Sequence, residues 1–133
     1  MTPSARSKRW LEEHGYKSWT VECYIHQVRR RIDCFNFFDI IAMPAKPLNG
    51  PGSCPLLAVQ ATSLTNVSHR MAKLAAEPNL ALWLQHGHLC VIHGWGLGGK
   101  RGKRKTYRLR QVQAKGFRDG DNIVIKWIEV EEP

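Results

Sequence analysis

Two apolar stretches of this chain carry polar side chains where few are expected. In "CFNFFDIIAM" (34–43) an acid, Asp39, interrupts a run of aromatic and β-branched residues, and "PLLAVQATS" (55–63) turns polar from Gln60 onward. A polar group inside a strand rich in Val, Ile, Leu and Phe costs several kcal/mol unless it is paired or bound to a metal. If the two stretches are neighbouring hairpin strands, Asp39 and Gln60 project side by side from one face, and Glu22 of a preceding strand can come alongside. Three oxygen ligands of this kind suit a hard divalent cation, Mg²⁺ or Mn²⁺, which keeps several waters and takes a phosphate oxygen as a further ligand. The competing structural reading of Asp39 is a salt bridge to Arg29, Arg30 or Arg31.

Positioning those side chains takes strands and a helix, and the patterning predicts both. Thr2, Pro3 and Ser4 mark a helix start, with Ser4 able to cap, and Gly15 stops a short helix over "ARSKRWLEEH". From Lys17 the period becomes two: Trp19, Val21, Cys23 and Ile25 alternate with Thr20, Glu22, Tyr24 and His26, a first strand with Glu22 on its more polar face. A basic turn, "VRRRID", leads to "CFNFFDIIAM" as a second strand, and the Pro and Gly residues between Pro44 and Pro55 mark a loop. "LLAVQAT" is the third strand. "SLTNVSHRMAKLAAE" then has helical spacing, with Val67, Met71 and Leu74 on one side and Asn66, His69, Arg70 and Lys73 on the other. A short helix in "NLALWLQHG", a strand in "HLCVIHGW" and two more in "TYRLRQV" and "NIVIKWIEV" complete the chain. The expected architecture is a single α/β domain over residues 1–133, with a mixed central sheet between helices and a β-rich C-terminal extension.

Lys and Arg number 20 against 11 Asp and Glu, a formal charge of +9 that favours a polyanionic partner, nucleic acid first. No apolar run reaches the roughly 18 residues of a spanning helix, and "MTPSARSKRW" lacks a signal-peptide apolar segment. Cys23, Cys34, Cys54 and Cys90 are scattered with no CxxC pair, which predicts reduced thiols in a cytoplasmic protein.

With Asp39 in "FFDIIAM" and "LLAVQATS" on successive strands after a first helix, residues 4 to about 95 resemble the PD-(D/E)XK nucleases, the restriction-endonuclease-like superfamily that includes Holliday junction resolvases and many phage enzymes. The resemblance implies an αβββαβ core. It also implies a metal-dependent DNA endonuclease, phage-encoded and acting in a host cytoplasm, with a homodimer expected for cutting duplex or branched DNA. Asp39 matches the motif aspartate, Gln60 the second acidic position and Thr62 the position of the lysine. Phe38 stands where proline gives the motif its name. The segment "RRRIDCFNFFDIIAM" also resembles phage members in which an Asp recurs six residues before the motif aspartate, here Asp33. By this likeness Glu22 or Asp33 joins Asp39 and Gln60 around Mg²⁺ or Mn²⁺. Lys73 or Arg70 then serves as a displaced catalytic cation. A second reading follows from Gln60 and Thr62 directly: a nuclease-like fold that binds nucleic acid without cutting it. A third is a basic structural or RNA-binding domain unrelated to nucleases, for which Asp39 and Gln60 would be incidental.

Two further motifs bear on binding. The glycine-interleaved "GLGGKRGKRKTYRLR" lacks the P-loop spacing and reads as a phosphate-gripping arm, with Lys100, Arg101, Lys103, Arg104 and Lys105 at its centre. His86, His88 and Cys90 would share one strand face and suggest zinc, but adjacent same-face residues splay too far to close around one ion.

Overall fold

The computed structural model describes residues 1–46, 55–99 and 101–131; Cys54, Lys100 and most of the proline-rich loop lie outside them. Helix α1 (Pro3–Glu13) is capped by Thr2, whose side chain accepts from Ala5 N–H, and Gly15 with φ +87° turns the chain out of the helix. Ser4, read from sequence as a capping residue, instead faces the sheet.

Strands β1 (Tyr16–Thr20), β4 (Ile40–Pro44), β5 (Leu57–Ser63), β6 (Leu89–Gly98), β7 (Thr106–Asp119) and β8 (Asn122–Val130) form one mixed sheet in the order β1-β4-β5-β6-β7-β8. The two remaining strands, β2 (Cys23–Ile25) and β3 (Arg30–Ile32), pair only with each other among the described residues. β1, β4 and β5 are antiparallel, β5 and β6 parallel, and β6, β7 and β8 antiparallel again. The parallel step is bridged by α2 (Val67–Ala75) and α3 (Pro78–Gln85), as a crossover between parallel strands requires. No helix among the described residues is long and apolar enough to cross a membrane.

Alternation along β5 divides the core between the two faces of the sheet. Leu57 and Val59 join Leu11, Ile40 and Val91 under α1, whereas Ala58 joins Val67, Leu74, Leu80 and Ile92 under α2 and α3. Gln60 and Thr62 share the parity of Ala58.

The sequence patterning misplaces two boundaries, for related reasons. The alternation from Trp19 to Ile25 is one expected strand but two observed ones, because it records exposure and is blind to which partner is hydrogen-bonded. β1 loses its partner at Ile40, Val21 N–H makes one last bond to Asp39 O (2.9 Å), and the chain leaves the sheet. The expected second strand, 34–43, begins only at Ile40; before it Cys34–Phe38 is a tight turn closed by Cys34 N–H to Phe38 O (2.8 Å), with Phe35 and Asn36 in left-handed backbone at φ +49° and +65°. Its aromatic content looked strand-like because Phe37 and Phe38 are core residues, buried from a turn.

Gly94 on β6 shows how closely α2 lies on the sheet: a Cβ there would collide with Val67 Cγ2 and stand 3.5 Å from Leu64 Cα. Gly94→Ala is expected to destabilise the protein by about 1–3 kcal/mol through overpacking. Adding Val67→Ala should return part of the loss in urea unfolding, and an unchanged midpoint in Gly94→Ala would contradict this packing.

Candidate functional site

Asp39, the residue before β4, is clamped by its backbone between two strands: its N–H donates to Val59 O (3.1 Å) and its carbonyl accepts from Val21. The side chain is 3% exposed. Oδ1 accepts the Ala61 N–H at 3.0 Å, and Oδ2 accepts the Ser4 hydroxyl at 2.7 Å. Burial raises its pKa to about 6; the Ser4 and Ala61 bonds oppose that rise, and the charges of Asp33 and Glu22 add to it.

Gln60, equally buried, pairs with the turn that precedes Asp39. Its amide is satisfied with the nitrogen donating to Asp33 Oδ2 (2.9 Å) and Phe37 O (3.1 Å); the reverse orientation would set its oxygen against acceptors. Gln60 therefore turns a donor toward Asp33, where the sequence reading had its carbonyl as a ligand. Burial raises the Asp33 pKa, partly offset by the positive charges of Lys73 and Arg70.

These groups meet in a cleft of about 470 Å³. Its floor is Asp39, Gln60 and Ala61 with Ser4 of α1, and its walls carry Glu22, Asp33, Arg70 and Lys73, joined by Arg30, Arg31 and Asn36. Six residues singled out from sequence are thus brought together: Glu22, Asp33, Asp39, Gln60, Arg70 and Lys73. Thr62 is buried and lies outside the lining residues. Glu22 sits in the connection after β1 rather than on a strand, and Arg31 Nη1 donates to its Oε1 at 2.7 Å. The arginine run thus pairs with Glu22, while Asp39 is held by neutral donors.

The basic residues Arg101, Lys103, Arg104 and Lys105 lie exposed in the connection from β6 to β7, and Lys100 falls outside the described residues. The expected sharing of one strand face by His86, His88 and Cys90 does not occur. Gly87, at φ +83°, separates the α3 cap residue His86 from the sheet, His88 Nδ1 accepts the Leu56 N–H at 3.1 Å, and Cys90 is core, its thiol pKa pushed up by burial.

Sequence reasoning missed Ser4 and the cleft-facing role of Arg30, Arg31 and Asn36. "VRRRID" was visible as a basic turn, but nothing in it indicated which way it faces. It also missed a buried polar chain beneath α1. Trp95 Nε1–H donates to Ser7 Oγ (2.8 Å), the Ser7 hydroxyl donates to His93 Nδ1 (2.9 Å), and His93 Nε2–H donates to Gln111 Oε1 (2.6 Å). That direction of donors is the one that satisfies every member, and it requires a neutral imidazole. Burial lowers the His93 pKa to about 4.

The chain matches no protein-family model, and neither a curated protein nor a solved structure is significantly similar to it.

Asp39 and His93 act oppositely on stability. The folded state holds a proton on Asp39 between pH 3.8 and about 6 that the unfolded chain releases, so this contribution falls as pH rises through that window. The unfolded chain protonates His93 between about pH 4 and 6.5 while the folded one does not, so this contribution rises with pH. Asp39→Asn, able to keep both hydrogen bonds at the site, should leave the His93 slope uncompensated, at most about 1.4 kcal/mol per pH unit. Its stability relative to the unmutated chain should grow from pH 4 to pH 6 and level off above; a difference independent of pH in urea unfolding would contradict the burial of a titrating Asp39.

Proposed function

We propose that this chain is a metal-dependent nuclease with a restriction-endonuclease-like core that hydrolyses phosphodiester bonds in DNA. The observation that carries the reading is the cleft itself: three carboxylates and a glutamine share one small concavity with Arg70 and Lys73 on a chain of charge +9. The element order supports it as well. α1, the antiparallel β1, β4 and β5, the crossover α2 and the parallel β6 follow the sequence that the resemblance implies, with α3 added and β2–β3 inserted.

The donor set fits a hard cation. Every acidic donor is an oxygen, and each Asp39 oxygen retains a lone pair beyond its bond to Ser4 or Ala61. Burial raises the Asp39 pKa first, and the negative charges of Asp33 and Glu22 add to the rise, a repulsion that a cation would relieve. Among the described residues no three His, Cys, Asp or Glu side chains stand together as a ready-made metal group; with the Gln60 nitrogen turned to Asp33, water and a substrate phosphate oxygen would complete the coordination of a cation held at Asp39. Bound there, Mg²⁺ or Mn²⁺ supplies a polarised phosphodiester and a water of lowered pKa.

The chain's own residues do the remainder. Asp39 orients the floor of the cleft, held rigid by Ser4 and Ala61. Gln60 fixes Asp33 through its amide nitrogen. Arg70 and Lys73 on α2 neutralise charge that develops on the phosphate, the task for which Thr62 has no charge. The second reading, nucleic-acid binding without cleavage, draws on two observations: Arg31 occupies Glu22, and Gln60 offers Asp33 a donor.

Supercoiled plasmid and a labelled four-way junction, incubated with Mg²⁺ or Mn²⁺ and with EDTA, separate the two. Cleavage that needs metal and falls at least about a hundredfold in Asp39→Ala, with DNA binding equal or tighter, is the expected result. Cleavage retained by Asp39→Ala would remove the site assignment, and binding without cleavage would favour the second reading. Metal should also raise the melting temperature at pH 7.5 more than at pH 5, since protons compete for a carboxyl titrating near pH 6.

A further inference from the structure

The β2–β3 hairpin adds little to the core. Its strands are three residues each, most of its residues are exposed, and among the described residues it pairs with no strand of the main sheet. A two-stranded ribbon of this size is marginal in water by itself. What distinguishes it is its position and charge. Arg29, at φ +51°, ends its turn, Arg30 and Arg31 follow it on β3, and these two line the cleft that holds Asp39.

Strand directions put a second basic element at the same end of the sheet. The hairpin leaves where β1 ends beside the start of β4, at Thr20↔Ile40, and this is the end at which the antiparallel β5 finishes. β6 runs parallel to β5 with Trp95 beside Ser63, then continues to Gly98, roughly 10 Å further, before Arg101, Lys103, Arg104 and Lys105. From the β1/β4 pair to the β6/β7 pair is three strand spacings, about 14 Å. Arg30 and Arg31 of the hairpin wall the cleft, and the basic connection after β6 follows on the same end of the sheet.

We propose that the β2–β3 hairpin is one of two basic grips on a polynucleotide backbone, Arg101, Lys103, Arg104 and Lys105 being the other, so that a strand crosses the end of the sheet between them and over Asp39. This rests on the nuclease reading of the cleft. Ile40 stands level with Val59 and Val91, so Gly98 lies seven residues, about 23 Å, further along the sheet as well as about 14 Å across it, a separation of about 27 Å that spans about eight nucleotides at about 3.4 Å each; both grips contact phosphate, so they position the strand without reading its sequence.

The test uses the full chain carrying Asp39→Asn, so that DNA is held uncut, with anisotropy of a labelled duplex measured across a salt series. Arg29→Gln with Arg30→Gln removes two charges from the hairpin, and Arg101→Gln, Lys103→Gln, Arg104→Gln and Lys105→Gln remove four from the connection. Arg31 is left in place to keep its pair with Glu22. The slope of log affinity against log salt should flatten by up to about 1.8 units for the hairpin set and up to about 3.6 for the other, adding when combined. A slope unchanged by the hairpin set, with circular dichroism intact, overturns the proposal. Cleavage by the unmutated chain is scored separately: metal-dependent cleavage with no hairpin effect leaves the nuclease and removes the grip, whereas a hairpin effect without cleavage keeps the grip and removes the nuclease.

Discussion

The buried Asp39 carboxylate, held by Ser4 from one side and the Ala61 N–H from the other, is the contact on which the rest of this structure turns. A carboxylate with 3% exposure is tolerable only with donors of good geometry, and those donors come from α1 and β5. The same helix face continues with Ser7 and Leu11, at the i, i+3, i+7 spacing of one stripe. Ser4 reaches the cleft, Ser7 joins the His93 and Trp95 chain, and Leu11 fills the apolar core beneath. One helix thus seats the acidic floor and caps the sheet, and neither is complete without the other.

The cleft is locally unfavourable by construction. Asp33, Glu22 and Asp39 repel one another while partly stripped of water, and among the described residues only Glu22 has a direct ionic partner, Arg31. Such arrangements persist where the surrounding packing over-determines them. Here that packing is dense: Phe37 and Phe38 anchor the turn that carries Asp33, and Asn36 and Asn79 tie it to α3 through Glu77 Oε2 (2.9 Å) and Phe35 O (3.1 Å). Left-handed backbone at Phe35 and Asn36 belongs to the same device, since it lets Cys34–Phe38 reverse the chain between Asp33 and Asp39. The positive charges of Lys73 and Arg70 on α2 offset part of the burial and repulsion at Asp33.

Much of this was legible in the residues themselves. Start and stop residues located α1 and α3, helical spacing located α2, and apolar runs between turn residues located β5 to β8. The oddity of Asp39 and Gln60 in apolar runs was enough to single them out, since an unpaired polar group in a core has no cheap explanation. Charge composition pointed to a polyanion. What misled was alternation without a partner: Glu22 was placed on a strand that had already ended, and Cys34–Phe38 took the appearance of a strand from its aromatics.

The sequence by itself determined which residues are apolar, which are charged and at what spacing, and so the helices, most of the sheet and the identity of the buried acid. Tertiary structure decided the rest: that Ser4 faces Asp39 instead of capping its helix, that the Gln60 nitrogen meets Asp33, that the arginine run pairs with Glu22 and walls the cleft, and that His93 is neutral. The reason is that hydrogen-bond partners and electrostatic neighbours are set by distances between residues remote in the chain, 35 positions apart for Ser4 and Asp39 and 86 for Ser7 and His93. Local patterning constrains burial, which is a property of one residue and its face; it carries no term for the partner on the other side.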